Sequence, residues 1–347
     1  MSERTILDLT REELIEFLRT HGEPRFRADQ IWHGIYRELA PSYAAITTLP
    51  KRLRALLKEA LPLPVLAPID VQESADGQTR KVLFRLHDGE TVEAVLMLYE
   101  KRRTVCLSTQ VGCAVGCAFC ATGKAGFVRD LTAGEIAAQA LHFARELDAR
   151  GERLTNIVYM GMGEPFLNYD AVMRSIRILN DSEGFSLGAR RFTVSTVGIV
   201  PGIERFTDEG LQVNLAISLH AATDELRNRL VPMNRRYPVG EIMRACRAYV
   251  ARTNRRVTFE IALIDGVNDA PDHAEAVVRL LSGLIAHVNL IPLNPVPGIP
   301  LRPSPRDRVE KFAEILRNAG VPTTVRLGRG IEIQAGCGQL RARSLVQ

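Results

Sequence analysis

Residues 111–123 read VGCAVGCAFCATG, a stretch that is dense in both cysteine and glycine. Its cysteines occupy positions i, i+4 and i+7: Cys113, Cys117 and Cys120. That spacing would fit one face of a helix, but three glycines interrupt it: Gly112, Gly116 and Gly123. Each glycine costs a helix about 1 kcal/mol relative to alanine, whereas glycine suits a loop that folds closely around a bound group. The stretch therefore predicts a metal-binding loop.

The choice of metal depends on how many ligands this loop supplies. A structural zinc site has four ligands, and the loop offers one C-x-x-C pair and one further cysteine. Cys106 could add a fourth thiolate, so zinc and an ordinary four-cysteine cluster remain alternatives. A disulfide framework is not expected, because the 347 residues contain only six cysteines. The last alternative is a four-iron cluster on three cysteines, whose open iron would bind a small molecule and make the site catalytic.

Composition is that of an ordinary globular protein. Hydrophobic residues make up 46% of the 347 residues, enough for one large domain and a small one. The longest apolar runs are too short to cross a bilayer, so we expect a soluble, cytoplasmic protein. A net charge of +5 and a pI of about 9.0 fit an RNA partner without requiring one. Short basic groups could contact phosphates or simply be solvated; they lie at residues 101–103, 235–236 and 252–256.

Residues 1–95 are interpreted as a small helical domain that ends in a β-hairpin. Thr10 and Glu13 form a capping box that begins a first helix. Further helical patterns lie near residues 27–37 and 50–60, and the proline-rich segment LPLPVLAP ends the helical region. Strand-like alternation on both sides of Asp88 and Gly89 then predicts the hairpin.

From residue 96 onward the sequence alternates between strands and helices. One helix begins at a second capping box, Thr132 with Glu135. The apolar strand candidates are TVCLST, TNIVYMG, RFTVST, QVNLAISL, VTFEIAL, HVNLIPL and TTVRL. This order predicts an α/β fold with parallel strands and helical crossovers, a partial (β/α)6 barrel over residues 96–347 that ends in a tail. The active site of such a barrel lies at the carboxyl ends of its strands.

The wider string CLSTQVGCAVGCAFCATGKAGFVRDLTAGEI, residues 106–136, resembles the cluster loop of radical S-adenosylmethionine enzymes. Among them it is most similar to the RlmN and Cfr family, which methylates an adenine carbon of RNA. Five further segments follow in the family's order: YMGMGEPFLN, STVGIVPGI, AISLHAATDELR, LIPLNPVPG and GRGIEIQAGCGQL. The resemblance covers nearly the whole chain. It implies the radical-SAM barrel, S-adenosylmethionine as substrate, and a 4Fe–4S cluster held by Cys113, Cys117 and Cys120.

Residues at the predicted strand ends match the family's S-adenosylmethionine contacts. The resemblance implies that Gly163 and Glu164 bind the amino group of the methionine moiety. It implies further contacts from Ser195, Ser218, Leu219, His220 and Asn294. Without the family pattern these signals are weak, because G-x-G occurs in many turns and a histidine after an apolar strand is usually structural.

Two other cysteines bear on the chemistry. Cys337 lies between two glycines in QAGCGQL, which would let a short tail present an open sulfur, although an ordinary cysteine in a turn is the alternative. The resemblance implies that Cys337 carries a methyl group, that Cys106 resolves the product, and that Glu93 accepts a proton. For Glu93 the alternative is a surface strand carboxylate. Cys246 is expected to be a buried apolar residue.

The family needs two cysteines because an adenine ring carbon is not nucleophilic and cannot attack a methylsulfonium. The resemblance implies that one S-adenosylmethionine methylates Cys337, and that a second is cleaved to a 5′-deoxyadenosyl radical. This radical removes a hydrogen from the methylated cysteine, and the methylene radical adds to the ring. Loss of a ring proton and attack by Cys106 then release the product and leave a Cys106–Cys337 disulfide for reduction.

The family contains carbon-2 and carbon-8 methyltransferases. Pro165 and Leu167 stand where the carbon-8 branch has small residues, which favours the carbon-2 branch that acts on large-subunit ribosomal RNA and often on transfer RNA. The N-terminal domain should bind this RNA, with the target adenine extruded. The resemblance also implies an electron donor such as flavodoxin or ferredoxin, and we expect a monomer. The open alternatives are a carbon-8 enzyme, a radical enzyme for a small metabolite, and a non-catalytic zinc or iron–sulfur module that binds RNA.

Overall fold

The computed structural model describes residues 4–326 and 328–340. Its strands are β1 (Ala67–Glu73), β2 (Thr79–Arg85), β3 (Thr91–Leu98), β4 (Arg103–Cys106), β5 (Gln110–Gly112), β6 (Phe127–Asp130), β7 (Asn156–Tyr159), β8 (Phe192–Thr196), β9 (Asn214–Ser218), β10 (Val257–Leu263), β11 (Ala286–Pro292) and β12 (Thr323–Val325). Its α-helices are α1 (Arg11–Thr20), α2 (Phe26–Tyr36), α3 (Lys51–Ala60), α4 (Ala121–Ala125), α5 (Ala133–Asp148), α6 (Tyr169–Asn180), α7 (Val200–Thr207), α8 (Asp224–Leu230), α9 (Val239–Thr253), α10 (Pro271–Leu281) and α11 (Arg306–Asn318). Among these helices none has the length and apolar character needed to cross a membrane.

The parallel strands of the larger sheet form the wall of the predicted barrel. This sheet runs β1-β2-β3-β4-β7-β8-β9-β10-β11-β12, and every neighbouring pair from β4 to β12 is parallel. Helical crossovers α5, α6, α7, α9, α10 and α11 separate these strands along the chain, with α8 as an additional helix after β9. The prediction of a partial (β/α)6 barrel is therefore confirmed. Leu327, the last residue of the predicted strand TTVRL, lies outside the described residues. Residues 1–3 and 341–347 lie outside them as well.

Local sequence signals fix where several elements begin. At the start of α5 the Thr132 hydroxyl accepts the Glu135 N–H at 3.1 Å, and the Glu135 carboxylate accepts the Thr132 N–H at 2.9 Å. The same reciprocal pair, Thr10 and Glu13, begins α1. Both predicted capping boxes are present, and each satisfies backbone donors that the first turn of a helix leaves unpaired.

The hairpin extends the barrel sheet rather than standing apart from it. Strands β2 and β3 pair antiparallel on either side of Asp88 and Gly89, as predicted, and β3 pairs antiparallel with β4 through Val95 and Cys106. One more strand, β1, pairs with β2 and was not predicted. Its residues are all exposed or half-buried, so it lacks the apolar alternation that marks a strand with one face in a core. A division of the chain at residue 95 stays a prediction.

The N-terminal helices pack on the barrel through one continuous apolar core. Leu14 and Trp32 of these helices belong to the same buried cluster as Ile136 of α5. The Asp8 carboxylate also accepts the Gly134 N–H, at 2.7 Å, at the first turn of α5. Carboxylates are favoured at this position because the helix N-terminus carries unpaired N–H groups and partial positive charge.

Candidate active site

The carboxyl ends of the parallel strands bring most of the predicted site residues to one edge of the sheet. Cys106 is the last residue of β4, Ser218 is the last residue of β9, and Glu164 and Asn294 follow β7 and β11. The hydroxyl oxygens of Ser195 and Ser218 lie 3.2 Å apart, across the β8–β9 pair. Residues that are far apart in the sequence thus share one concave face, as the barrel topology requires.

The cysteine stretch folds as a loop between β5 and the short helix α4. Gly112 and Gly116 both have positive φ, 74° and 69°. A Cβ on Gly112 would lie 1.9 Å from the carbonyl oxygen of Gly126, to which the neighbouring Cys113 N–H donates at 2.7 Å. This close approach is possible only for glycine. The prediction of a loop rather than a helical stripe is confirmed.

The three loop cysteines share one apolar cluster. Cys117 is buried among Val115, Phe119 and Leu230, and Cys113 and Cys120 pack against the same cluster. Burial raises the pKa of the Cys113 thiol to about 12. Burial also raises the pKa of Cys117 well above its ordinary value, and the charges of the other two cysteines raise it as well. Thiols so placed become thiolates only beside a strong positive charge, such as that of a bound metal.

The donor chemistry of these thiols suits an iron–sulfur cluster. In residues 4–326 and 328–340, no group of three or more His, Cys, Asp or Glu side chains is arranged to hold a single metal ion. A four-iron cubane assigns each thiolate to a different iron, so its ligands lie farther apart than those of one ion. Three soft thiolates converging in apolar surroundings are donors that suit iron–sulfur chemistry.

Glu164 is a buried carboxylate that can bind a cationic group. Its side chain accepts the N–H groups of Phe166 at 3.0 Å and Val197 at 2.8 Å. Burial nevertheless raises the pKa of Glu164 to about 7. The preceding Gly163 has φ 101°, and a Cβ there would lie 2.7 Å from the Gln110 side chain. Glycine therefore lets the end of β7 pack against the segment that leads into the cysteine loop.

His220 is held as a neutral imidazole. Its Nδ1 accepts the Ala262 N–H at 3.1 Å, and its ring packs edge-on against Phe119 of the cysteine loop. Burial and the charge of Arg227 lower the pKa of His220 to about 3. Leu219 beside it is fully buried. These contacts support the loop, and a substrate contact for either residue stays a prediction.

Asn294 positions the C-terminal tail. Its Nδ2 donates to the Cys337 carbonyl oxygen at 3.1 Å. Its Oδ1 is buried and has no hydrogen-bond partner among the described residues. A buried amide oxygen without a partner costs roughly 1–3 kcal/mol, so a ligand donor at this position would be favoured.

The tail, residues 328–340, crosses from the end of β12 back to the hairpin. Arg329 Nη1 donates to Gln78 Oε1 at 2.5 Å, and Lys81 Nζ donates to the Gln334 carbonyl oxygen at 3.3 Å. Lys81 also forms an ion pair with Glu93 at 3.1 Å, with the two side chains only 3% and 1% exposed. Glu93 is thus buried, and the alternative of a surface carboxylate is wrong.

This course of the tail brings Cys337 to Cys106. Both are free thiols, and Cys106 is buried whereas Cys337 is exposed. Burial and the charge of Cys337 raise the pKa of Cys106 to about 12, while burial raises the pKa of Cys337 and the charge of Arg326 lowers it. The effect of Cys337 on the pKa of Cys106 places the two sulfurs within electrostatic reach of each other. Cys246, by contrast, is buried in α9 as predicted.

Arg326 is a site residue that the sequence analysis missed. It follows β12, and its Nη1 lies 3.6 Å from Oε2 of Glu260, which is 6% exposed. Burial alone would lower the pKa of Arg326, but the charges of Cys337 and Glu260 raise it. The only available signal was its position after the last parallel strand, which is also where many ordinary solvated arginines occur.

Two family models match the chain. The model for the ribosomal RNA large subunit methyltransferase N-terminal domain matches residues 5–62, and that for the radical SAM superfamily matches residues 107–281. A Chloroflexus aurantiacus protein named "Probable dual-specificity RNA methyltransferase RlmN" is 51% identical over 357 residues, covering 100% of this chain and 95% of that protein. The Myxococcus xanthus "Dual-specificity RNA methyltransferase RlmN 1" is 48% identical, covering 97% and 94%.

A solved structure gives the same result. A radical SAM methyltransferase from Sphaerobacter thermophilus superposes with a TM-score of 0.96 at 56% sequence identity. The match covers 97% of this chain and 99% of that one. The likeness therefore extends over both the N-terminal helices and the barrel.

Proposed function

The chain belongs to the RlmN family of radical S-adenosylmethionine RNA methyltransferases, and we propose that it methylates carbon 2 of an adenine in large-subunit ribosomal RNA and in transfer RNA. The observation that supports this best is the proximity of Cys337 and Cys106 at the strand edge that also bears the cysteine loop. A chemistry that forms a covalent intermediate on one cysteine and resolves it with another needs two such thiols. The carbon-8 alternative is not favoured, because the relatives bear the RlmN name.

In this proposal Cys113, Cys117 and Cys120 hold a 4Fe–4S cluster. When bound, the cluster supplies the electron that converts S-adenosylmethionine to a 5′-deoxyadenosyl radical. Glu164 accepts a hydrogen bond from the substrate's ammonium group, next to Gly163. Its buried position strengthens that attraction. The other substrate contacts are assigned to the strand-end residues Ser195, Ser218, Leu219, His220 and Asn294.

Cys337 and Cys106 have different roles in the covalent steps: Cys337 carries the methyl group, and Cys106 releases the product. The positive charge of Arg326 favours the thiolate of Cys337, the form that can accept a methyl group. Cys106 is kept protonated by burial, so it does not compete for the methyl group. Glu93, buried on the strand next to β4, accepts the ring proton when Cys106 attacks the sulfur of Cys337. That attack forms an S–S bond and breaks the bond between Cys337 and the methylene carbon of the RNA adduct. The methylene carbon takes up the proton that Cys106 loses and becomes the methyl group, and the unpaired electron left by radical addition would return to the cluster.

We also propose that the protein binds RNA, that it acts as a monomer in the cytoplasm, and that a separate protein supplies its electrons. The predicted basic groups retain several exposed side chains: Lys101, Arg102, Arg235, Arg236, Arg252 and Arg256. Two others are engaged within the protein, Arg103 with Glu152 and Arg255 with Asn214. The exposed side chains can reach phosphates, although Arg252 also lies 3.7 Å from Asp208, whereas the engaged ones stabilise the fold. Flavodoxin or ferredoxin would supply the electrons.

The proposal is tested by methylation of defined RNAs. The anaerobically reconstituted protein is incubated with a large-subunit ribosomal RNA fragment or a transfer RNA, S-adenosylmethionine and reduced flavodoxin. Mass spectrometry of the digested RNA should show 2-methyladenosine. A product of 8-methyladenosine would contradict the choice of carbon, and labelling of one RNA alone would contradict the dual substrate.

A further inference from the structure

Arg227, on α8, is a fully buried arginine with 0% exposure. Its Nε donates to the Leu219 carbonyl oxygen at 2.9 Å, and its Nη2 donates to the Ser218 carbonyl oxygen at 3.1 Å and to that of Val197. Its Nη1 donates to Asn234 Oδ1 at 2.8 Å. The guanidinium therefore joins the ends of two neighbouring strands, because Val197 follows β8 and Leu219 follows β9.

All of these acceptors are neutral. Among the residues that the structure describes, no carboxylate forms an ion pair with Arg227. Asp224 is reached only through Asn234, whose Nδ2 donates to Asp224 Oδ1 at 2.9 Å. Glu164 is linked indirectly as well, since it accepts the N–H of Val197 while Arg227 donates to the carbonyl of the same residue. A buried charge whose contacts are all neutral is costly unless a further negative charge compensates it.

The cysteine loop is where that negative charge would be. Leu226 and Leu230, on either side of Arg227 in α8, belong to the apolar cluster that contains Cys117. The loop is also tied to α8 by a hydrogen bond from the Ala118 N–H to the Leu230 carbonyl oxygen at 2.9 Å. Burial lowers the pKa of Arg227 to about 10, and the charges of Cys117, Asp224 and Glu164 raise it. Cys117 is thus within electrostatic reach of a guanidinium that stays charged at neutral pH.

We propose that Arg227 is a positioning residue that supplies the fixed positive charge for the iron–sulfur cluster and at the same time holds the strand ends that bind S-adenosylmethionine. This inference rests on the proposed cluster at the three loop cysteines. A cluster with three thiolate ligands carries net negative charge, which grows on reduction, so a nearby buried cation favours the reduced form. The same guanidinium fixes the carbonyl groups of Ser218 and Leu219, which are predicted substrate contacts, and that of Val197, two residues after Ser195.

The test compares Arg227→Met and Arg227→Lys after anaerobic reconstitution, with Arg145→Met as the matched control. Arg145 also donates only to carbonyl oxygens, those of Leu39 and Ala40, but it lies on α5 against the N-terminal region. Iron content, the reduced fraction by electron paramagnetic resonance in a redox titration, and the dissociation constant for S-adenosylmethionine are measured.

For Arg227→Met we expect the ratio of reduced to oxidised cluster at a fixed potential to fall roughly tenfold. For a one-electron couple this corresponds to a midpoint potential that is lower by about 59 mV. Arg227→Lys keeps the charge but loses the planar fork, so it should retain the parent's midpoint potential and bind S-adenosylmethionine more weakly. Arg145→Met should change neither quantity. A midpoint potential in Arg227→Met equal to that of the parent would overturn the inference.

Folding is checked separately on the metal-free proteins by circular dichroism. If Arg227→Met and Arg227→Gln fold but take up no iron while Arg227→Lys does, the charge requirement is supported. If all three unfold alike, Arg227 is purely structural and the inference fails. A parent protein that takes up no iron would instead refute the proposed cluster itself, so the two failures are distinguishable.

Discussion

Replacing Lys81 by methionine would leave the Glu93 carboxylate buried without its ammonium partner. The two side chains are 3% and 1% exposed and 3.1 Å apart, and Lys81 also donates to the backbone of Gln334 in the tail. Methionine has a similar volume, so the substitution removes charge and hydrogen bonding while it retains most of the packing.

The expected loss of stability follows from this burial. Removing one partner of a buried ion pair costs about 3–5 kcal/mol, because the other charge remains uncompensated. We expect about 3 kcal/mol for Lys81→Met. Adding Glu93→Gln removes the charge that has lost its lysine, so the double variant should recover about 2 kcal/mol relative to the sum of the single changes. Lys311→Met is the control, because Lys311 pairs with Glu314 at 2.9 Å but both side chains are more than half exposed. It should change stability little.

The measurement is urea-induced unfolding of the reconstituted protein under anaerobic conditions, followed by far-UV circular dichroism. The m value must stay constant across the variants for the comparison to hold. A loss below about 1 kcal/mol for Lys81→Met, or strict additivity in the double variant, would refute the reasoning that the pair acts as a buried unit.

Three other predictions concern the site. Cys106→Ala should accumulate RNA covalently attached to the protein, seen as a nuclease-sensitive, slowly migrating species on gels, whereas Cys337→Ala should show none; identical behaviour of the two variants would contradict the division of labour. Affinity for S-adenosylmethionine should fall as the pH drops through about 7, the pKa of Glu164, because the protonated acid no longer attracts an ammonium group, and Glu164→Gln should abolish this dependence. Gly112→Ala should prevent iron uptake, because its Cβ would lie 1.9 Å from the carbonyl oxygen of Gly126. Gly116→Ala should retain iron, because Gly116 also has positive φ but open space around its Cβ position. Equal iron content in both variants would show that the loop adapts.

Local patterns in the sequence were sufficient for many elements of this structure. The capping boxes, the hairpin at Gly89 and the cysteine loop depend on residues a few positions apart, so their geometry is written into short segments. The strand ends could be placed because alternating strands and helices imply a parallel sheet. The family resemblance then indicated which side chains at those ends to consider.

The charged groups inside the site could not be predicted in the same way. Lys81 stands in a strand and Arg227 in a short polar helix, where basic residues are usually solvated. Their burial depends on contacts from distant segments, with Gln334 for Lys81 and with Val197 for Arg227. Arg227 even lies within a motif that was identified by resemblance, but a single sequence does not show which charges of a motif the fold encloses.

The barrel wall is held together in two ways: by strand pairing within the sheet, and by the tail that crosses from β12 to the hairpin. We call the contact between the tail and the hairpin a seam. Where strands pair, backbone hydrogen bonds hold the wall together, and neighbouring strands separate only if those bonds in the sheet are broken. Between β12 and β2 it is held by a few side-chain bonds, such as Arg329 to Gln78, which can break and re-form while the sheet stays intact. A polynucleotide is far bulkier than a methionine derivative, so if the wall opens for RNA we expect it to open here. Cys337 follows that section of the tail in the chain and is held at the barrel by Asn294, so we expect a shift of the section to be passed on to the sulfur.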